Sequence, residues 1–303
     1  MAKVALVKTA TWRDYFELCK PRVVLLMLLT AAIGMLLASA PEVFPWQALF
    51  FGTLGIACSA GSAAVINHLV EHRIDVHMHR TKHRPVASGR VSPFQAMIFS
   101  LVIGAFGLGI LVLFVNALTA WLTLISLVGY ALLYTIYLKR ATPQNIVIGG
   151  AAGAAPPLLG WTAVTGSLDP SGLLLVLIIF TWTPPHFWAL AIYRHEEYAK
   201  ANLPMLPVTH GIRFTKFCIV LYIILLIAST ILPYITGMSG ITYLILALGL
   251  GLHFLYYGAK LYMSDDPKTA LHTFAYSIIY LMVLFIGLLI DHYLPLFYAL
   301  LRF

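Results

Sequence analysis

Charge is what this chain has least of. Only 10% of its 303 residues are charged, and only 11 are acidic, where a soluble globular domain carries about 25% charged residues. With 61% hydrophobic residues and a mean hydropathy of +0.90, a soluble fold is excluded and a polytopic membrane protein is implied. Cysteine is scarce too. Cys19, Cys58 and Cys218 form no CxxC pair and no Cys/His metal spacing, which excludes a disulfide framework and a cysteine zinc site. They read as small hydrophobes in helix packing. Lys3, Lys8 and Arg13 precede no apolar core with a small-residue cleavage site, so no secretory signal is expected. The net charge of +8 does not indicate a nucleic-acid partner. The basic residues sit in short gaps between apolar runs, not on a soluble surface.

Nine apolar stretches are long enough to cross a bilayer, at about 20 residues each: 22–40, 46–66, 94–115, 117–138, 144–165, 172–193, 215–236, 240–260 and 270–290. The fold expected is all-α, a polytopic membrane helical bundle of nine transmembrane helices, forming one domain over residues 1–303. Of the 19 basic residues, only Arg302 lies outside the N-terminal segment and the gaps 67–93, 139–143, 194–216 and 260–269. These alternate with gaps that hold none, so the positive-inside rule puts the N-terminus in the cytoplasm and the C-terminus outside. Trp12, Tyr15 and Phe16, ahead of Lys20-Pro21-Arg22, read as an interfacial helix. The two long gaps, 67–93 and 194–214, lie four spans apart on the cytoplasmic side. Each opens with polar residues that continue a helix and then meets proline, which hints at an internal repeat.

The most polar passage is Asn67 to Pro85, NHLVEHRIDVHMHRTKHRP. Asn67, Glu71 and Asp75 are four apart. On a helix each such step drifts only about 40°, so the three line one face. Carboxylates about 6 Å apart repel by about 3 kcal/mol at an effective dielectric near 20. They therefore need a counter-charge. A hard divalent cation carrying an anion is one source, since Mg2+ takes carboxylate and phosphate oxygens. Pairing of Glu71 and Asp75 with Arg73 or His79 on a solvated juxtamembrane helix is the other. Arg80, Lys82 and Arg84 follow directly and suit either lipid headgroups or a diphosphate. Lys139 and Arg140 stand ready to join the same cradle. Glu196 and Glu197 in the second long gap offer a carboxylate set to face the first. Five histidines (His68, His72, His77, His79 and His83) crowd the first gap. Without a closed ligand set they read as surface residues.

Within the spans, Pro156-Pro157 and Pro184-Pro185 interrupt helical hydrogen bonding at membrane depth. They mark either packing kinks or a widened central cavity. Gly149, Gly150, Gly153 and Gly160 would let helices close around it. His186 follows the second proline pair. A polar residue there faces the bundle interior, as a satisfied core histidine or as a substrate contact.

Four motifs together resemble the protohaem IX farnesyltransferase branch of the UbiA superfamily of intramembrane prenyltransferases. They are Asn67, Glu71, Asp75, Met78, Arg80, Thr81, Arg84 and Pro85; GGAAGAAPPLLGW from Gly149 to Trp161; WTPPHFWALAI from Trp182 to Ile192; and EYAKANLPMLPV from Glu197 to Val208. The resemblance spans essentially the whole chain. It implies nine helices around a central cavity capped by cytoplasmic loops, in a bacterial inner membrane. It implies farnesyl diphosphate held through Mg2+, with Asn67, Glu71, Asp75 and Glu197 as metal-binding and catalytic residues. Arg80, Lys82, Arg84, Lys139, Arg140 and Arg194 become diphosphate contacts, and His186 and Tyr198 haem or substrate contacts. The acceptor implied is haem B, and the partners downstream are a haem A synthase or terminal oxidase assembly. Glu71 stands where the family has Asp, and Glu197-Tyr198 where it has Asp-Tyr; charge is kept and a methylene added.

Two other readings share some of these features. A related prenyltransferase acting on an aromatic acid would carry the same acidic motifs, but not the PPHFWALAI and PMLPV runs. A secondary transporter would also show broken helices, but with its charges near the midplane instead of at one face. On the enzyme reading, Asp75→Asn abolishes prenyl transfer while the protein stays in the membrane, and Glu71→Asp keeps substantial activity. Assay of both variants in membranes checks this; full turnover by Asp75→Asn would remove Asp75 from the site.

Overall fold

The computed structural model describes residues 10–76, 81–138, 141–201 and 203–300. A short helix, α1 (Trp12–Leu18), precedes α2 (Pro21–Ala38). A π-helical turn (Ala48–Gly52) runs into α3 (Thr53–Asp75), followed by α4 (Pro93–Phe114) and α5 (Ala117–Val128). A second π-helical segment (Gly129–Leu138) continues α5. Then come α6 (Asn145–Ala154), α7 (Pro156–Thr165), α8 (Pro170–Tyr193), α9 (His195–Lys200), α10 (Leu206–Thr209), α11 (Ile212–Ile235), α12 (Ile241–Met263) and α13 (Pro267–Leu300). Among the described residues, nine helical segments are long and apolar enough to cross a membrane. Their positions match the nine expected stretches, with α3 and α13 running on past the spans assigned to them.

The helix ends follow from local chemistry. Ser92 and Gln95 form a reciprocal capping box at the start of α4, with Pro93 in the first turn, which satisfies two N–H groups that a helix start leaves unpaired. Asn116 accepts from the Thr119 N–H to open α5. On α1, Asp14 accepts from both the N–H and the hydroxyl of Thr11, and Arg90 pairs with Asp14 and Glu17. The Thr11 hydrogen bonds, and secondarily Arg90, hold the Asp14 carboxyl below the usual carboxylate range. This tie between α1 and the α3–α4 loop is therefore complete above that range and is lost as pH falls through the lowered value. Trp12 and Phe16 remain exposed on the outer side of α1, as an interfacial helix requires.

The two proline pairs behave differently. Pro156 opens α7 and divides the fifth span at Ala155. Pro184-Pro185 lies inside an uninterrupted α8, contrary to the expected break. Away from water, the neighbouring helical bonds have no competitor. The Thr181 and Thr183 hydroxyls also bond carbonyls of the preceding turn.

Packing divides into three clusters. The largest joins α8, α11, α12 and α13 around Trp188, Tyr243, Phe254, Tyr280 and Phe285. A second joins α2, α3, α4 and α7. The third seats α1 and the α3–α4 loop through Leu18, Val65, Val86 and Val91. Burial, with a smaller contribution from Cys58, pushes the Cys19 thiol up to about 11, so it packs as a neutral thiol. Outward-facing side chains such as Leu25, Leu101, Leu113, Trp121 and Ile245 are exposed, as lipid-facing positions would be.

Small residues set the closest approach. A Cβ on Gly160 would lie 1.9 Å from the Ala31 carbonyl oxygen, and one on Gly34 2.2 Å from that of Pro157. The α2 and α7 backbones thus touch without intervening side chains. Gly149 and Gly150 lie under Tyr134 and Thr183, but Gly153 meets nothing within 4 Å and instead borders a cavity. Gly160→Ala is therefore expected to overpack α2 against α7 and cost roughly 1–3 kcal/mol. Thermal unfolding in detergent checks this; an unchanged midpoint would mean the helices can part freely.

Candidate active site

The helical phase of α3 puts Asn67, Glu71 and Asp75 on one face. All three are buried, at 3%, 7% and 3% exposure. The chain then turns back, with Thr81 donating to the Asp75 carbonyl at 3.2 Å, and delivers Arg84. One guanidinium nitrogen of Arg84, Nη1, lies 2.7 Å from Asp75 Oδ2 and 3.5 Å from Glu71 Oε2. A single positive atom thus sits between both carboxylates, and supplies the counter-charge that their proximity demands.

Asn67 is held from two sides. Lys20 Nζ donates to its Oδ1, and its own Nδ2 donates to Thr135 Oγ1 at 3.4 Å. Lys20 caps α2 in the left-handed region, with φ of 50°, an unusual conformation for a residue with a side chain. Thr135 lies on the π-helical segment, where its hydroxyl donates to the Tyr130 carbonyl five residues back at 2.8 Å. Such segments are rare and occur mostly at functional sites. Here the wider turn stacks Tyr130 on Tyr134, with ring centroids 5.4 Å apart.

Beyond this polar end opens a cavity of about 510 Å³. Lys20 and Arg22 stand at its mouth. Its walls come from α2 (Val23, Met27 and Thr30), α3 (Ile56, Ser59 and Ala63), the π-helical segment (Tyr130 and Tyr134), α6 and α7 (Gly149, Gly153 and Pro156), α8 (Trp182, Thr183 and His186) and α13 (Leu281). A mostly apolar volume with a few convergent polar groups at one end is the usual form of a small-molecule site. It suits a long apolar chain, and Lys20 joins its lining to the acidic face of α3 through Asn67.

Residues 27–289 match the model of the UbiA prenyltransferase family. The chain belongs to that family. Curated relatives include the Protoheme IX farnesyltransferase of Teredinibacter turnerae, 63% identical over 97% of this chain and 94% of that one. Another, of the same name from Legionella pneumophila strain Paris, is 64% identical over 93% of this chain and 96% of that one. Among solved structures, a digeranylgeranylglyceryl phosphate synthase superposes with a TM-score of 0.79 at 21% identity, over 93% of this chain and 98% of that one. A UbiA homologue from Archaeoglobus fulgidus bound to GPP and Mg2+ gives a TM-score of 0.62 at 16% identity, over 91% of this chain and 99% of that one. At these identities the two structures show a shared fold.

In this prenyltransferase the structure puts Asn67, Glu71 and Asp75 on one buried face, as their spacing led one to expect. It pairs both carboxylates with Arg84, a partner for them that the sequence reading did not name. Lys82 and Glu197 are exposed, and Glu196 pairs with Lys200 at 3.8 Å on the surface of α9. Arg194 is half-buried where α8 meets α9, and Tyr198 half-buried against the large core cluster. Arg80, Lys139 and Arg140, with His77 and His79, lie outside the described residues.

One expectation fails. His68 is not a surface histidine: it is 3% exposed, with neither ring nitrogen hydrogen-bonded. Helical phase turns it inward beside Asn67, where sequence reasoning weighed only its loop-like neighbours. Lys20, Tyr130 and Tyr134 were also missed as site residues. The Lys20-Pro21 step was a signal for the first, since proline sets the helix start and places the preceding side chain at its cap; nothing local marked the two tyrosines.

The donor set fits a hard divalent cation. Asn67, Glu71 and Asp75 present oxygen ligands alone, and the two carboxylates already converge on one cationic atom, as Mg2+ sites require. No group of three His, Cys, Asp or Glu side chains among the described residues does so, so part of the coordination shell would come from substrate or water oxygens. Arg84→Ala removes a counter-charge from two buried carboxylates. It is expected to cost roughly 3–5 kcal/mol of stability, with millimolar Mg2+ restoring more in the variant than it adds to wild type. Unfolding midpoints measured with and without Mg2+ decide; identical metal responses would argue against a shared position.

Proposed function

We propose that this prenyltransferase transfers the farnesyl group of farnesyl diphosphate to a vinyl group of haem B, giving haem O and diphosphate. The observation that carries the geometric half is a mostly apolar cavity with Lys20 and Arg22 in its lining, where Lys20 also bonds Asn67 of the buried acidic face. The choice of farnesyl and haem is supported by the name carried by relatives 60–64% identical.

Asn67, Glu71 and Asp75 would hold Mg2+, and Glu197 would join them from α9 if that short helix moves inward. When bound, the ion neutralises charge on the departing diphosphate. Lys20 and Arg84 contact the diphosphate from the same end, joined by Arg80, Lys82, Lys139, Arg140 and Arg194 from the loops. Arg84 can present two parallel N–H groups to such an anion. The bond between farnesyl C1 and the diphosphate oxygen breaks, and its electrons leave with the diphosphate. The terminal vinyl carbon bonds to C1, water adds to the adjacent carbon, and one proton is released. The apolar walls keep bulk water from the allylic cation, and the faces of Tyr130 and Tyr134 offer it electron-rich surface.

The charge pattern supports a site on the cytoplasmic side, a cytoplasmic N-terminus and an outer C-terminus, in what the family resemblance implies is a bacterial inner membrane. The product would pass to enzymes that consume a prenylated haem, a haem A synthase or terminal oxidase assembly. Purified protein incubated with Mg2+, haem B and farnesyl diphosphate is expected to yield a haem whose mass has grown by one farnesyl group plus one hydroxyl. EDTA is expected to stop the reaction. Prenylation of an aromatic acid in the same mixture, with haem unchanged, would favour a quinone-pathway enzyme.

A further inference from the structure

His186 is fixed more completely than a packing role requires. Its ring lies between Trp182, 4.2 Å away at 21°, and Phe274, 4.5 Å away at 29°. Both faces are therefore covered. Its Nδ1 lies 2.6 Å from Ser277 Oγ. That hydroxyl donates its single proton to the Phe274 carbonyl, also at 2.6 Å, so toward the imidazole it must accept. Nδ1 then carries the ring proton and Nε2 is left with a bare lone pair. Trp182 Nε1 donates to the Ser277 carbonyl at 2.8 Å, which ties the accepting residue to the same turn of α8.

Both faces are covered, Nδ1 is anchored and Phe187 lies edge-on at 5.2 Å; His186 lines the cavity, and Nε2 is the ring nitrogen left to serve it. By helix rise it lies about 10 Å below the C-terminal end of α8. An imidazole whose far N–H is anchored, with its other nitrogen bare in a mostly apolar cavity, is how proteins prepare a histidine to bind a metal. No group of three or more His, Cys, Asp or Glu side chains among the described residues could hold an ion there, so the partner must bring most of its ligands with it. We infer that His186 Nε2 is the axial ligand of the haem iron, with Ser277 as the residue that positions it. This rests on the haem reading above. Iron ligation would pin the porphyrin by its centre within the cavity, so that the vinyl edge is offered at a constant depth.

The test is titration of purified protein in detergent with ferric haem B, and separately with iron-free protoporphyrin IX, followed by absorption and electron paramagnetic resonance. Wild type is expected to bind both saturably and to show a histidine-ligated iron spectrum. His186→Ala is expected to lose that spectrum and bind haem at least tenfold more weakly, with protoporphyrin IX affinity unchanged; added imidazole should restore the spectrum. Ser277→Ala, which keeps the ring but frees it, is expected to weaken haem binding about tenfold and serves if His186→Ala fails to fold. An unaltered iron spectrum in either variant, or equal losses for both porphyrins, overturns the ligand assignment. Failure of wild type to bind either porphyrin overturns the haem substrate itself, and the assignment with it.

Discussion

Two carboxylates buried at one end of an apolar bundle, Glu71 and Asp75, are the constraint on which the rest of this structure depends. Left without a counter-charge, two carboxylates this close would repel each other. The chain supplies that counter-charge by folding Arg84 back over them. Several other features follow from that requirement. The loop after α3 must turn sharply, and α1 is clamped to it through Arg90. Lys20 must reach Asn67 from the cap of α2. Like signs placed this close elsewhere would only destabilise. Here the stored field forms one end of a site whose other end is apolar.

That division explains how one cavity can hold a substrate with two natures. On the proposed reading an anionic head would meet Lys20 and the acidic face of α3, and an isoprenoid chain the Val, Met, Ile and aromatic walls. The π-helical segment matters because it serves both. Thr135 steadies Asn67 at the polar end, while Tyr130 and Tyr134 face the apolar volume. His186 stands deeper on the same wall, in a setting of aromatic faces and one serine that fixes which nitrogen is bare. A polar group at that depth is costly, and its full support by Trp182, Phe274 and Ser277 is what makes it usable.

Much of this could be read from residue order. Nine spans follow from hydropathy and length, since a bilayer admits only internally hydrogen-bonded elements. The shared face of Asn67, Glu71 and Asp75 follows from helical pitch, provided the helix continues beyond the apolar run, as α3 does to Asp75. The partner of those carboxylates was harder. Arg73, within the helix, and Arg84, nine residues past Asp75, are equally basic, and only the turn of the backbone selects the second. His68 was misread for the same reason. Its neighbours are polar and loop-like, but its place on α3 points it into the bundle.

The sequence by itself determined the membrane class, the number and order of spans, the acidic face and the branch of the family. The class, the spans and the acidic face depend on composition and short-range periodicity, and the branch on four motifs that resemble those of that family. The tertiary structure alone decided which residues meet across the bundle: Lys20 with Asn67 over 47 positions, Asn67 with Thr135 over 68, and His186 with Ser277 over 91. Apolar helices resemble one another in sequence, so nothing local states which pairs will pack or where a cavity will be left. Those outcomes depend on the fit of whole helices, set by contacts such as Gly160 against Ala31, where the absence of one methyl group decides how closely two spans approach.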